Sequence, residues 1–92
     1  MKINNRIHAR QICEVYDVPP EFIDALTEYQ LMELEMQDDG AYIAEEQLAE
    51  FEKLMRLHFD LNINYEGLDV IQNLMRRIDE LEHELRMLRN RL

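Results

Sequence analysis

Three histidines, one cysteine and twenty carboxylates are the side chains of this 92-residue chain with reactive or ligating chemistry. Their spacing argues against most of it. His8 and Cys13 stand five positions apart with no second pair near them, whereas tetrahedral zinc needs three or four converging ligands. His58 falls on the apolar side expected of one helix, and His83 on the outward side of another. The carboxylates are scattered over expected helix surfaces, and no glycine loops surround them to build a pocket. A general acid–base pair needs burial to raise one pKa, and nothing in the pattern supplies it. A glycine-rich phosphate loop and a nucleophile elbow are both missing. Cys13 occupies an apolar helical position and is expected to be an inert core thiol. The chain is therefore expected not to be an enzyme and to use no metal or cofactor.

The carboxylates are informative as a field instead. The formal net charge is −10. From Gln11 to Glu52 there are thirteen Asp or Glu residues and no Lys or Arg. The ten basic residues lie outside that window, three before it and seven after it. A field of this sign slows approach to nucleic acid and anionic membranes and favours a basic protein partner. Five of the carboxylates, Glu21, Asp24, Glu28, Glu33 and Glu35, lie in the stretch PPEFIDALTEYQLMELEM without a single Lys, Arg or His. They are the candidate partner-binding residues.

The elements that must position them follow from periodicity. A first helix is expected from about His8 to Tyr16, with Ile12, Cys13, Val15 and Tyr16 on its apolar face. It stops at DVPP, because a residue before proline is driven out of the α region. Pro20 suits the first turn of a second helix, whose Phe22, Ile23, Leu26 and Tyr29 form one inward face. Asp24 and Glu28 then point outward. From Leu31 the alternation of Met32, Leu34 and Met36 with Glu33, Glu35 and Gln37 predicts a half-buried strand. Asp39-Gly40 signals a tight turn, and Ala41 to Ile43 a return strand. A third helix is expected over about Glu45 to Phe59, with Leu48, Phe51, Leu54, Met55 and His58 on one face. Ala44 offers it no side-chain cap. Helix, turn, helix and a small hairpin make the outline of a winged helix.

After the loop DLNIN, Asn64 is the expected N-cap of a fourth helix reaching the C-terminus. Ile71, Leu74, Ile78, Leu81, Leu85, Leu88 and Leu92 step alternately by three and four. They form a coiled-coil seam with Ile71, Ile78, Leu85 and Leu92 at a, and Leu74, Leu81 and Leu88 at d. At about 1.5 Å per residue this helix outruns so small a domain, so the seam is expected to join two copies as a homodimer. Arg77 facing Glu82 and Glu84 facing Arg89 would suit a parallel pair. Arg77 approaching Glu84 would suit an antiparallel one. The division expected is a winged-helix domain with a linking helix over 1–63 and a dimerisation helix over 64–92. The polar start MKINNRIHAR has no leader-like apolar core, no apolar run approaches the roughly 18 residues of a membrane span, and one cysteine forms no internal disulfide. A cytoplasmic protein is expected.

The outline resembles the MerR-type winged helix, with GAYIAEEQLAEFEKLMRL in the place of the wing's return strand and following helix. Within that group, RLHFDLNIN (Arg56 to Asn64), EGLDVI (Glu66 to Ile71) and the short leucine seam resemble the chaperone modulator family CbpM. The resemblance covers about residues 6 to 92. It implies a mainly α fold: a MerR-like winged helix-turn-helix with a β-hairpin wing and a long C-terminal coiled-coil helix. It also implies a modulator that binds the J-domain of a DnaJ-like co-chaperone of the CbpA type and inhibits its work with the DnaK chaperone. A J-domain offers DnaK a basic helix, which an acidic modulator can cover. The alternative is a MerR-type DNA-binding transcription regulator, for which Lys2, Arg6 and Arg10 would be a thin supply of cations. Ala44 departs from the Ser or Thr common at that cap in MerR-like DNA binders.

Overall fold

A computed structural model describes residues 5–92. Its chain runs β1 (Arg6–His8), α1 (Ala9–Tyr16), α2 (Pro20–Glu28), β2 (Glu35–Gln37) and β3 (Gly40–Ala44). A 3-10 turn (Glu45–Gln47), α3 (Leu48–Met55), a π-helical turn (Arg56–Asp60) and α4 (Tyr65–Arg91) complete it. This is the mainly helical winged helix-turn-helix expected, with a long C-terminal helix.

The α1–α2 pair is shaped by its ends. His8 caps α1 through its side chain: Nδ1 accepts from the Arg10 N–H at 2.9 Å, and Nε2 donates to the Asp39 carbonyl at 2.7 Å. A carbonyl only accepts and a backbone N–H only donates, so both bonds together require the neutral ring with its proton on Nε2. The helix therefore starts one residue later than predicted. At its far end Asp17 turns left-handed, with φ of 57°, and the Val18 N–H reaches the Cys13 carbonyl. Pro20 then opens α2 at its first turn. Ile12 is buried, whereas Val15 is 70% exposed, which corrects the inward place predicted for it. An eight-residue helix packed against α2 buries a narrow stripe, and Val15 falls beside it.

The wing also departs from expectation. Leu31 and Met32 are both buried and Met36 is 65% exposed, so no alternation runs from Met32 to Met36. The cause is local. Gln30 adopts φ of 55°, and the N–H groups of Leu31 and Met32 both turn back to the Leu26 carbonyl, closing α2 instead of starting a ladder. Strand β2 begins only at Glu35. It pairs antiparallel with β3, Gln37 opposite Gly40, and Gly40 takes φ of 128°, which favours glycine. A Cβ there would also lie 3.0 Å from His8 Nε2. Strand β1, not predicted, pairs with the other edge of β3, Ile7 opposite Ile43, giving the order β1-β3-β2.

The core gathers Ile12, Phe22, Leu26, Ile43, Phe51, Leu54 and Leu68, all nearly or fully buried. Residues 45–59, predicted as one helix, are three pieces in succession. Gln47 Oε1 accepts the Ala44 N–H at 2.9 Å, satisfying a backbone donor where Ala44 has no side-chain oxygen to help. The π turn widens the helix after Met55, and its last residues fold back as Leu61 N–H bonds the Arg56 carbonyl and Ile63 N–H the Leu57 carbonyl. Asn62 is left-handed, and Asn64 Oδ1 accepts the Gly67 N–H at 2.7 Å as the predicted cap of α4. The first two turns of α4 pack on the core through Tyr65 and Leu68, and then the helix leaves. The Cα radius of gyration is 16.0 Å, against about 12 Å for a compact chain of this length.

Candidate functional site

Spacing puts Glu21, Asp24 and Glu28 on one side of α2, opposite the buried Phe22, Ile23, Ala25 and Leu26. All three are exposed. Thr27, between them, is the only other exposed residue of α2 after Pro20 and is uncharged, so this face of the helix carries no cation. Glu14 of α1 adds to the same field. Burial first, and then the charges of Asp24, Glu14 and Glu21, push the Cys13 thiol above its ordinary pKa. That is the opposite of what a reactive thiolate needs. Glu21 also acts on Tyr65 at the start of α4, whose hydroxyl is raised by burial and then by the Glu21 charge. Glu21 is thus close enough to act on both the α1 thiol and the start of α4.

The other two predicted residues are placed differently. Glu33 is exposed in the segment between α2 and β2. Glu35 lies in β2, half-buried, where Arg6 Nε of β1 pairs with its carboxylate and the Gln37 amide donates to it. The structure thus groups Glu21, Asp24 and Glu28, and gives Glu35 an internal partner. The tip between β2 and β3 is Asp38-Asp39, with Asp39 accepting from the Tyr42 hydroxyl at 2.8 Å. Both parts of a winged helix that would touch a duplex, the second helix and the wing tip, are therefore acidic. Arg10 is exposed, Arg6 is engaged by Glu35, and Lys2 lies outside the described residues.

A family model described as the MerR HTH family regulatory protein matches residues 7–90. The chain belongs to the MerR HTH family. No curated protein and no solved structure matches it. The family's regulatory winged helix accounts for α1, α2 and the β2–β3 wing, and the match extends along almost all of α4. Among the described residues no group of three or more His, Cys, Asp or Glu is placed to hold a metal ion. Among them, too, no helix is long and apolar enough to cross a membrane.

The second feature of this MerR-type chain is α4. Ile71 is half-buried at its root, and Leu74, Ile78, Leu81, Leu85, Leu88 and Leu92 are all exposed. From Asn73 to Leu92 every residue is exposed, about 30 Å of helix at 1.5 Å per residue. The seam is not folded back onto the core. Its root is tied down by Gln72, whose amide donates to the Leu31 carbonyl at 2.9 Å and to Glu50 at 3.1 Å. Between this root, α3 and the α2–β2 segment lies an open groove of about 880 Å³. Sequence reasoning missed it, because it depends on the angle at which α4 leaves the domain.

That angle comes from the aromatic joint. The His58 ring stacks on Tyr65 with centroids 4.5 Å apart, and faces Phe22 at 5.5 Å. Its Nδ1 donates to the Ile63 carbonyl at 2.8 Å. One imidazole therefore ties α2, the π turn and α4 together. The stretch RLHFDLNIN, which is part of the resemblance, is in physical terms the corner at which these elements meet.

Proposed function

We propose that this chain is a non-enzymatic, protein-binding modulator that covers the J-domain of a DnaJ-like co-chaperone of the CbpA type and blocks its work with DnaK. The observation that carries the reading is the exposed face of α2: Glu21, Asp24 and Glu28 with no cation among them. A helix that enters a DNA groove gains affinity by neutralising phosphates, and each missing cation removes part of it. Here the same surface repels phosphate and suits a basic helix. The likeness of Arg56 to Ile71 and the seam to the CbpM family supplies the identity of that helix. Glu33 extends the acidic surface, and Glu35 does so to the extent that Arg6 leaves it free.

Two further parts belong to the proposal. The exposed seam joins two copies, with 64–92 as the dimerisation helix and 1–63 as the binding domain. A reducing cytoplasm suits the lone thiol of Cys13. Titration calorimetry with the J-domain tests the main reading: heat at low salt that weakens as salt rises is expected, and no heat at low salt overturns it.

Membership of the MerR HTH family favours a second reading, a DNA-binding transcription regulator. Tight, sequence-selective retardation of duplex DNA at low salt would put it first.

A further inference from the structure

His8 serves two elements with one ring. It ends β1 opposite Tyr42 and caps α1, with Nδ1 accepting the Arg10 N–H at 2.9 Å and Nε2 donating to the Asp39 carbonyl at 2.7 Å. Tyr42 stands edge-on to the ring at 5.0 Å, and Gly40 passes so near that a Cβ there would lie 3.0 Å from Nε2. The imidazole is thus half-buried between the wing tip and the first turn of α1. We propose that His8 is a proton-operated clasp: neutral, it holds that turn to the wing, and protonated, it stays on the wing and lets the turn go.

Hydrogen-bond chemistry sets the direction. The protonated ring donates from both nitrogens and accepts at neither. Whichever nitrogen faces Arg10 then sets N–H against N–H, so turning the ring over restores nothing. The bond to the Asp39 carbonyl survives and gains charge assistance. At the helix end, α1 has no acid in its first turn to take the freed donor, and a cation at a helix N-terminus opposes the macrodipole. The charges around the ring are largely engaged with one another. The Asp39 carboxylate accepts the Tyr42 hydroxyl at 2.8 Å, and Glu35 of β2 pairs with Arg6 of β1. Asp38 is exposed at the tip, and Arg10 is close enough for its charge to act on the Tyr42 hydroxyl. The acids of the wing favour a cation on the wing side of the ring, and Arg10 opposes one on the helix side. Both biases keep the charged ring on the wing. Histidine is the side chain that ordinarily changes charge between about pH 5 and 8, which makes the clasp a response to mild acid.

Nitrogen-15 spectra of the imidazoles in the full chain test this. At about pH 8 His8 is expected as a single neutral tautomer with its proton on Nε2. A mixture, or a proton on Nδ1, would overturn the proposal. As pH falls to about 5.5, the Arg10 amide proton is expected to move upfield with the midpoint of the His8 ring. Its exchange protection is expected to fall about fivefold beyond the intrinsic effect of pH, the size of one lost cap. Ring contacts between His8 and Tyr42 are expected to persist, and their loss would mean that the wing is released in place of the helix. In His8→Gln the Arg10 amide is expected to hold still over the same range. In His83→Gln it is expected to move as in the wild type, because His83 is exposed on α4. An Arg10 amide that holds still while the wild-type His8 ring titrates would remove the clasp, whether or not the variant folds. Equal movement in His8→Gln would assign the response to another group.

Discussion

His58 lies face to face with Tyr65, the ring planes 15° apart, while its Nδ1–H closes the turn onto Ile63. Two independent interactions thus fix the corner between α3 and α4. His58→Ala is expected to cost about 2 kcal/mol, since it leaves the half-buried Ile63 carbonyl without its donor and removes a ring from the aromatic cluster. Urea unfolding checks this, and a cost below about 0.5 kcal/mol would mean the joint is held elsewhere.

Gly67 gives a second test of the same corner, with a sign opposite to helix propensity. Glycine to alanine within a helix ordinarily gains about 0.5–1 kcal/mol. At Gly67 the new Cβ would lie 2.7 Å from Ile63 Cγ2 and 3.0 Å from Asn64 Oδ1, so both the packing and the cap must shift. Gly67→Ala is therefore expected to lower the melting temperature. A rise would show that Ile63 gives way freely.

Alkaline titration probes the contact between α1 and α3. The Tyr16 hydroxyl donates to Glu52 at 2.6 Å, and this bond, with burial and the Glu52 charge behind it, raises its pKa. The folded chain holds that proton more tightly than the unfolded one. Its stabilisation is thus complete below the unfolded value of about 10 and is lost as pH rises through the higher folded value. Tyr16→Phe is expected to flatten the fall in melting temperature between about pH 9 and 11.5, and only in part, because Tyr42 and Tyr65 are raised as well. An identical pH profile for the variant would remove Tyr16 from the account.

Reversing Asp24 and Glu28 to Lys tests the acidic face directly. Both are exposed, so the fold is expected to survive with its circular dichroism unchanged. Affinity for the J-domain is expected to fall by about tenfold or more. Unchanged affinity would move the contact off α2.

How far the amino-acid pattern reached depends on whether an element is decided locally. The Asn64 cap, the Pro20 start and the continuous helix that carries Ile71 to Leu88 each follow from residues within a turn or two of one another, and the structure has them where the pattern put them. Strand β1 could not be read that way. Arg6-Ile7-His8 has no alternation of its own and pairs only because the edge of β3, some thirty-five positions on, is open to it. Met36 was misread for a related reason: the apparent period-two run began inside the closing turn of α2, where the Leu26 carbonyl takes two N–H groups at once. For the site, the three α2 carboxylates were legible because helical spacing alone groups them. Glu35 was grouped with them by sequence proximity, although its closest partner is Arg6 from another strand. The groove was beyond reach, since its walls come from α3, α4 and the segment after α2.

The unsupported length of α4 makes it a lever with its fulcrum at the aromatic joint. Its arm from Tyr65 to Leu92 is about 40 Å, so a tilt of roughly ten degrees at Tyr65 swings the tip about 7 Å, most of the usual distance between packed helix axes. An error that a compact domain would absorb within a side-chain rotamer is thereby magnified at the exposed end of the helix. The stacking of His58, the tight fit at Gly67 and the Gln72 tether set the aiming accuracy of everything beyond Asn73.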